Sequence, residues 1–191
     1  MAPRTEQQFE EIRETRKREI MNTALELFAN EGFYATSISK IADRAGISKG
    51  LLYNYFDSKE DLIRSIIFDG IDNLTRFIDP NKDGILTKEE MRYFIEEMFN
   101  ALVQEKYYWR LYFNLFFQPQ VLKLVEKRLL VMIHTYLKML SDYFTSTGSE
   151  DPQTDAIFFG ALLDGIGFQF LADPERFPLE KVKNKLLKMY C

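Results

Sequence analysis

Apolar side chains recur every three or four residues along most of this chain, and sustained alternation at period two is absent, so the pattern predicts helices and no strands. A first helix over about residues 6–30 carries Ile20, Ala24, Leu27 and Phe28 on its inward stripe, and Gly32 stops it. Ile38, Ile41, Ala42 and Ala45 mark a second helix ended by Gly46. Ser48 is a good N-cap for a third, whose apolar face is Leu51, Leu52 and Tyr55 with Phe56 at its far end. Two short helices joined by a turn containing Gly read as a helix-turn-helix. A fourth helix starts at Asp57, with Glu60 completing a capping-box-like pair, and runs through Leu62, Ile63, Ile66, Ile67, Ile71 and Leu74. Further helices are predicted over 87–105, 107–118, 120–145, 152–171 and 178–189. The fold class is therefore all-α, with a three-helix domain over residues 1–60 and a second helical domain over 61–191.

Charge alters the picture locally. The 191 residues sum to −4, but between Thr36 and Lys59 the cations Lys40, Arg44, Lys49 and Lys59 outnumber Asp43 and Asp57. Phosphate contacts use Lys, Arg, hydroxyls and helix N-termini, all found in this stretch. Arg13, Arg16, Lys17 and Arg18 form a basic cluster in the first helix; residues ahead of Arg13 read either as a charged arm on DNA or as a frayed helix end. With 46% apolar and 28% charged residues, the composition is that of an ordinary globular protein. No stretch approaches the ~20 consecutive apolar residues of a membrane span, and the N-terminus has no apolar signal core. The single Cys191 fits a reducing cytoplasm.

The residues from Thr36 onward resemble the TetR family of bacterial transcriptional repressors. The resemblance rests on Thr36-Ser37-Ile38, Ile41-Ala42, Ala45-Gly46-Ile47-Ser48, Lys49-Gly50-Leu51-Leu52-Tyr53-Asn54-Tyr55-Phe56 and Ser58-Lys59-Glu60-Asp61-Leu62, in one unbroken register. It implies that Thr36, Ser37, Tyr53, Tyr55 and Lys59 bind phosphates, and that Ser48, Lys49 and Gly50 lie closest to base edges. Lys49 can reach guanine acceptors, and Gly50 permits close backbone approach. Leu51, Leu52 and Phe56 are expected in the core. The resemblance further implies a helical ligand-binding and dimerisation domain, a homodimer through the last two helices, a palindromic double-stranded operator and release by a small-molecule effector. Two half-sites one DNA turn apart, ~34 Å, require two copies.

Asp79-Pro80-Asn81-Lys82-Asp83-Gly84-Ile85-Leu86-Thr87-Lys88-Glu89-Glu90 lies outside that resemblance and fits a twelve-residue EF-hand loop. Asp79, Asn81, Asp83, the Ile85 carbonyl and Glu90 would be the Ca2+ ligands, with Gly84 at the sharp turn. The competing reading is a polar loop in which Thr87 caps a helix with Glu90. No cofactor is otherwise expected.

The aromatic run Tyr107-Tyr108-Trp109-Arg110-Leu111-Tyr112-Phe113-Asn114-Leu115-Phe116-Phe117 carries too much apolar surface for one face. One reading is an effector pocket walled by Met98, Trp109, Tyr112, Phe113, Phe116, Met132, Tyr136 and Met139, with Arg110, Asn114, His134 and Gln169 as polar groups. The other is an aromatic core. One His, one Cys and no Gly-rich phosphate loop leave little for an enzyme to work with. The competing class is a calcium-responsive helical interaction module without sequence-specific DNA binding.

Overall fold

Glycine, proline and capping hydroxyls divide the chain into helices. The computed structural model describes residues 6–191, apart from the side chain at position 74, and among the described residues it contains nine α-helices and no strand. These are α1 (Glu6–Glu31), α2 (Ile38–Arg44), α3 (Lys49–Tyr53), α4 (Lys59–Thr75), α5 (Lys88–Gln104), α6 (Lys106–Phe116), α7 (Pro119–Ser146), α8 (Pro152–Ala172) and α9 (Leu179–Tyr190). The all-α expectation is met. Residues ahead of Glu6, and the inward place expected for Leu74, lie outside the described residues.

Element ends shift where caps compete. Gly32 and Gly46 take φ of +87° and +66°, the left-handed turn that stops α1 and α2. After α2, the Gly46 and Ile47 N–H groups donate back to the Asp43 and Ala42 carbonyls at 3.2 and 3.0 Å. The capping box expected of Asp57 and Glu60 is not formed, and Ser58 and Asp61 make a related pair instead. The Ser58 hydroxyl accepts from the Asp61 N–H at 3.0 Å, while the Asp61 carboxylate accepts from the Asp57 N–H at 3.1 Å. Accordingly α4 begins at Lys59, not Asp57.

The chain divides into two compact units. The first comprises residues up to Gly70 together with Leu111–Val125. Its core buries Ile20, Phe28, Ile41, Leu52, Phe56, Leu62, Ile63 and Ile66 almost completely. Later amides bond carbonyls at the end of α1: Asn114 Nδ2 donates to Ala29 O at 2.9 Å, and Gln118 Nε2 to Phe28 O at 3.0 Å, a carbonyl that also accepts from the Gly32 N–H at 3.0 Å. Asn114, expected as a pocket group, is thus a cap. Gly70 lies against the Tyr112 ring so closely that a Cβ there would stand 2.1 Å from a ring carbon. Tyr112 also donates its hydroxyl to the Ile67 carbonyl at 2.8 Å and stacks on Phe116 with centroids 6.0 Å apart.

The second unit comprises Ile71–Arg110 and Glu126–Cys191. Phe94, Phe144, Phe159 and Tyr190 form its aromatic cluster, with Phe159 and Tyr190 centroids 4.8 Å apart. Trp109 is buried and donates from Nε1 to the Ala101 carbonyl at 3.2 Å. The outer side of α8 carries exposed Ile157, Phe158 and Phe168, Phe168 by 67%, with Asp164 exposed between them. By length and composition alone α8 could cross a membrane, with mean hydropathy 1.4, and only 28% of that window is buried.

Gly70→Ala is expected to destabilise the protein by about 1–3 kcal/mol, because the Tyr112 ring must leave its seat, and Tyr112→Phe by about 1 kcal/mol through the lost bond to Ile67. Urea unfolding of both variants checks these values.

Candidate nucleic-acid interface

The α2–turn–α3 segment is built by hydroxyl caps on its outside and apolar anchors on its inside. The Ser37 hydroxyl accepts from the Lys40 N–H at 3.2 Å and starts α2; the Ser48 hydroxyl accepts from the Leu51 N–H at 3.1 Å and starts α3. Leu52 and Phe56 are buried and fix the inner side of α3. The other side carries Ser48, Lys49 and Gly50, all exposed, with Tyr53 44% exposed. A Cβ added at Gly50 would meet nothing closer than Ser48 Oγ at 4.0 Å, so the backbone there is open to an incoming surface.

Four expected residues behave differently. Thr36 is 0% exposed: its hydroxyl donates to the Gly32 and Leu27 carbonyls at 3.0 and 3.4 Å. It precedes the cap by one residue and turns inward, so the phosphate role expected of it is not available in this arrangement. Lys59 Nζ donates to the Phe33 and Thr36 carbonyls at 2.9 and 3.1 Å and stands 4.3 Å from the Phe33 ring centroid. Tyr55 is half-buried, with the Arg13 guanidinium 5.5 Å from its ring centroid. Leu51, expected in the core, is 38% exposed beside Lys49 and Gly50, where an apolar side chain can meet a thymine methyl. Its neighbour Leu52 takes the inward place because α3 has only five residues and one narrow inner face.

The positive charge expected around the segment is partly offset. Lys40 pairs with Glu31 at 2.5 Å, and Arg44 approaches Glu26 at 4.0 Å. Both carboxylates come from α1, ahead of the motif in sequence. Surface pairs of this kind are worth little energetically, yet they reduce the field that a phosphate would meet. Arg13, which the sequence reading placed in a general basic cluster, reaches the end of α3 and donates to the Asn54 carbonyl at 3.5 Å. Ser39 and Asn54 are also exposed on this segment.

The expected pocket residues fall in both compact units. Tyr112, Phe113 and Phe116 belong to the first; Met98, Trp109, Met132, Met139, Tyr136 and Gln169 belong to the second. Met98 and Trp109 are buried, Met132, Met139 and Tyr136 are half-buried, and Gln169 faces outward on α8. Arg110 and His134 are exposed.

The loop 79–90 is closed by its own hydrogen bonds. The Asp79 carboxylate accepts from the Asp83 and Gly84 N–H groups at 3.2 and 3.1 Å, Asn81 Oδ1 accepts from the Asp83 N–H at 3.1 Å, and Asp83 Oδ1 accepts from the Ile85 N–H at 2.8 Å. Glu90 is drawn into a capping box with Thr87: its carboxylate accepts from the Thr87 N–H and hydroxyl at 2.9 and 2.8 Å. Among the described residues, no three His, Cys, Asp or Glu side chains are gathered to hold a metal. The helix-cap reading accounts for this geometry, and the ligand set expected of Asp79, Asn81, Asp83, Ile85 and Glu90 is not assembled.

With that geometry in hand, comparison with known proteins is specific for the first unit. Residues 20–66 match the family model of bacterial regulatory proteins, tetR family. The transcriptional activator FasR of Mycolicibacterium smegmatis is 29% identical over 106 residues, covering 53% of this chain and 47% of that protein. The fatty acid metabolism regulator protein of Bacillus subtilis is 31% identical over 85 residues, covering 44% of each. The chain thus spans less than half the length of these relatives. Over the whole fold, the FadR regulator of Bacillus subtilis, solved in complex with stearoyl-CoA, superposes with a TM-score of 0.69 at 20% identity, covering 91% of this chain and 96% of that one. The fold is TetR-like. FasR and FadR are both named as regulators of transcription.

Thr36→Val is expected to lower stability by about 1–2 kcal/mol, since it deletes a buried hydroxyl bonded to two carbonyls. A residue engaged only with DNA would leave the urea midpoint unchanged.

Proposed function

We propose that this chain is a TetR-like repressor that binds palindromic operator DNA as a homodimer and leaves it when an effector with an apolar part enters the second unit. One observation carries the reading: α3 buries Leu52, with Phe56 buried just beyond it, and leaves Ser48, Lys49, Gly50, Leu51 and Tyr53 exposed. In a major groove, Lys49 would donate to guanine O6 and N7 and Leu51 would meet thymine methyls, while Ser37 and Tyr53 face phosphates. The exposed apolar stripe Ile157, Phe158 and Phe168 on α8 supports pairing of two copies through α8 and α9, because a second α8 would cover surface that water otherwise meets.

Lys49→Ala and Tyr53→Ala are expected to abolish retention of a duplex selected from random sequence by the unaltered protein, without shifting the thermal midpoint. Unchanged retention in a gel-shift overturns the interface, and a monomer in analytical ultracentrifugation at micromolar concentration overturns the dimer.

For the effector we propose a long-chain acyl-CoA. A saturated acyl tail suits the apolar and aromatic side chains of Met98, Trp109, Met132 and Tyr136, and the Bacillus subtilis FadR structure holds stearoyl-CoA. Stearoyl-CoA is expected to weaken duplex binding by about tenfold or more, in the usual range of coupling between sites, and CoA alone to have no effect. Equal responses to both, measured by fluorescence anisotropy, rule out the acyl chain as the recognised part.

Calcium at 79–90 is a second proposal, favoured by one feature. Lys82 and Gly84, places four and six of the twelve, have φ of +60° and +78°, and Leu86 at place eight is buried. Each carboxylate oxygen keeps a lone pair beyond its N–H partner, so the loop is open to a hard cation if Glu90 leaves its cap. Terbium luminescence should then saturate with the unaltered protein and fail with Asp79→Ala; no signal at millimolar ion leaves Glu90 solely a helix cap.

A further inference from the structure

The Lys59 ammonium is the one cation of the helix-turn-helix stretch that the fold engages with main-chain carbonyls instead of a carboxylate or solvent. It stands at the first residue of α4 and donates to Phe33 O at 2.9 Å and Thr36 O at 3.1 Å, carbonyls of the turn between α1 and α2. These groups lie outside any helix, so they need a donor from elsewhere. Hydrogen bonds from a charged donor are about twice as strong as neutral ones. The same ammonium lies 4.3 Å from the Phe33 ring centroid, on a ring that is itself buried, where the attraction between cation and aromatic face adds to the bonds.

Thr36 is held at both of its polar ends. Its carbonyl accepts from Lys59, while its hydroxyl donates to Gly32 O and Leu27 O at the end of α1. The next residue, Ser37, is the N-cap of α2. Three elements therefore converge on one residue: the end of α1, the start of α2 and, through Lys59, the start of α4. An ammonium has three donors, and two of them are spent here.

We propose that Lys59 is a positioning residue, which clasps the first turn of α4 to the α1–α2 turn and so sets the attitude of α2 and α3, and that it is not a phosphate ligand. This rests on the DNA-binding reading above and departs from the role that the resemblance alone implies for this position. A cation on a phosphate acts through counterions, whereas a clasp acts through geometry, and the two leave different marks on salt dependence.

The test uses the full chain and the duplex selected by the unaltered protein. Kd is measured for the unaltered chain, Lys59→Met and Lys59→Arg between about 50 and 300 mM salt, since each phosphate contact contributes about 0.9 to the slope of log K against log salt. Both variants are expected to bind about tenfold more weakly with parallel lines, an effect of lost geometry without lost counterions. Lys59→Arg should not rescue, because a planar guanidinium fork is broader than the ammonium seated between two carbonyls under a ring. In the same proteins without DNA, amide exchange at Lys40 and Ile41, whose N–H groups donate to Ser37, should accelerate. A slope lowered by about 0.9 per bound chain with exchange unchanged makes Lys59 a phosphate ligand and overturns the proposal, as does full affinity in Lys59→Arg. Should Lys59→Met fail to fold, Lys59→Arg decides by the same readouts. Should the unaltered chain bind no duplex, the DNA-binding reading fails, and the exchange rates still judge the clasp.

Discussion

A five-residue helix has no stability of its own. Helix nucleation is unfavourable, and isolated helices shorter than ~12 residues are marginal in water even with ideal composition. α3 exists because Leu52 and Phe56 are anchored in the core of the first unit and because the Ser48 hydroxyl accepts from the Leu51 N–H at its start. Everything proposed for DNA reading depends on that tethering, since side chains on a helix borrowed from its surroundings are only as well placed as the surroundings.

Those surroundings come from widely separated parts of the chain. Asn114 and Gln118, more than eighty residues downstream, cap the end of α1, and the Phe33 N–H donates to Gln118 Oε1 at 3.3 Å. Gly70 and Tyr112 bring α4 and α6 into contact that admits no further atom. The first unit therefore includes Leu111–Val125 and takes in α4 as far as Gly70. The division expected at residue 60 rests on the resemblance, whereas packing groups the chain differently.

The polar groups obey the same economy of donors and acceptors. Buried or half-buried N–H and carbonyl groups require partners, and in this protein side chains chosen for ligand chemistry on sequence grounds often supply them. Thr36, Lys59, Asn114 and Glu90 each looked available for an outside partner and each is engaged within the chain. Typing by residue identity and spacing could not distinguish a hydroxyl or ammonium that faces out from one that turns in.

Local information settled much of this protein. Helix positions, the glycine stops at Gly32 and Gly46 and the Ser48 and Thr87 caps follow from spacing and cap chemistry, which act over a few residues and are legible without a fold. Tertiary structure alone decided which cations stay free: Glu26 and Glu31 reach Arg44 and Lys40, and two turn carbonyls hold Lys59, through contacts that no local pattern encodes. It also decided that Leu51 faces out while Leu52 faces in, because the phase of so short a helix is set by the core it leans on.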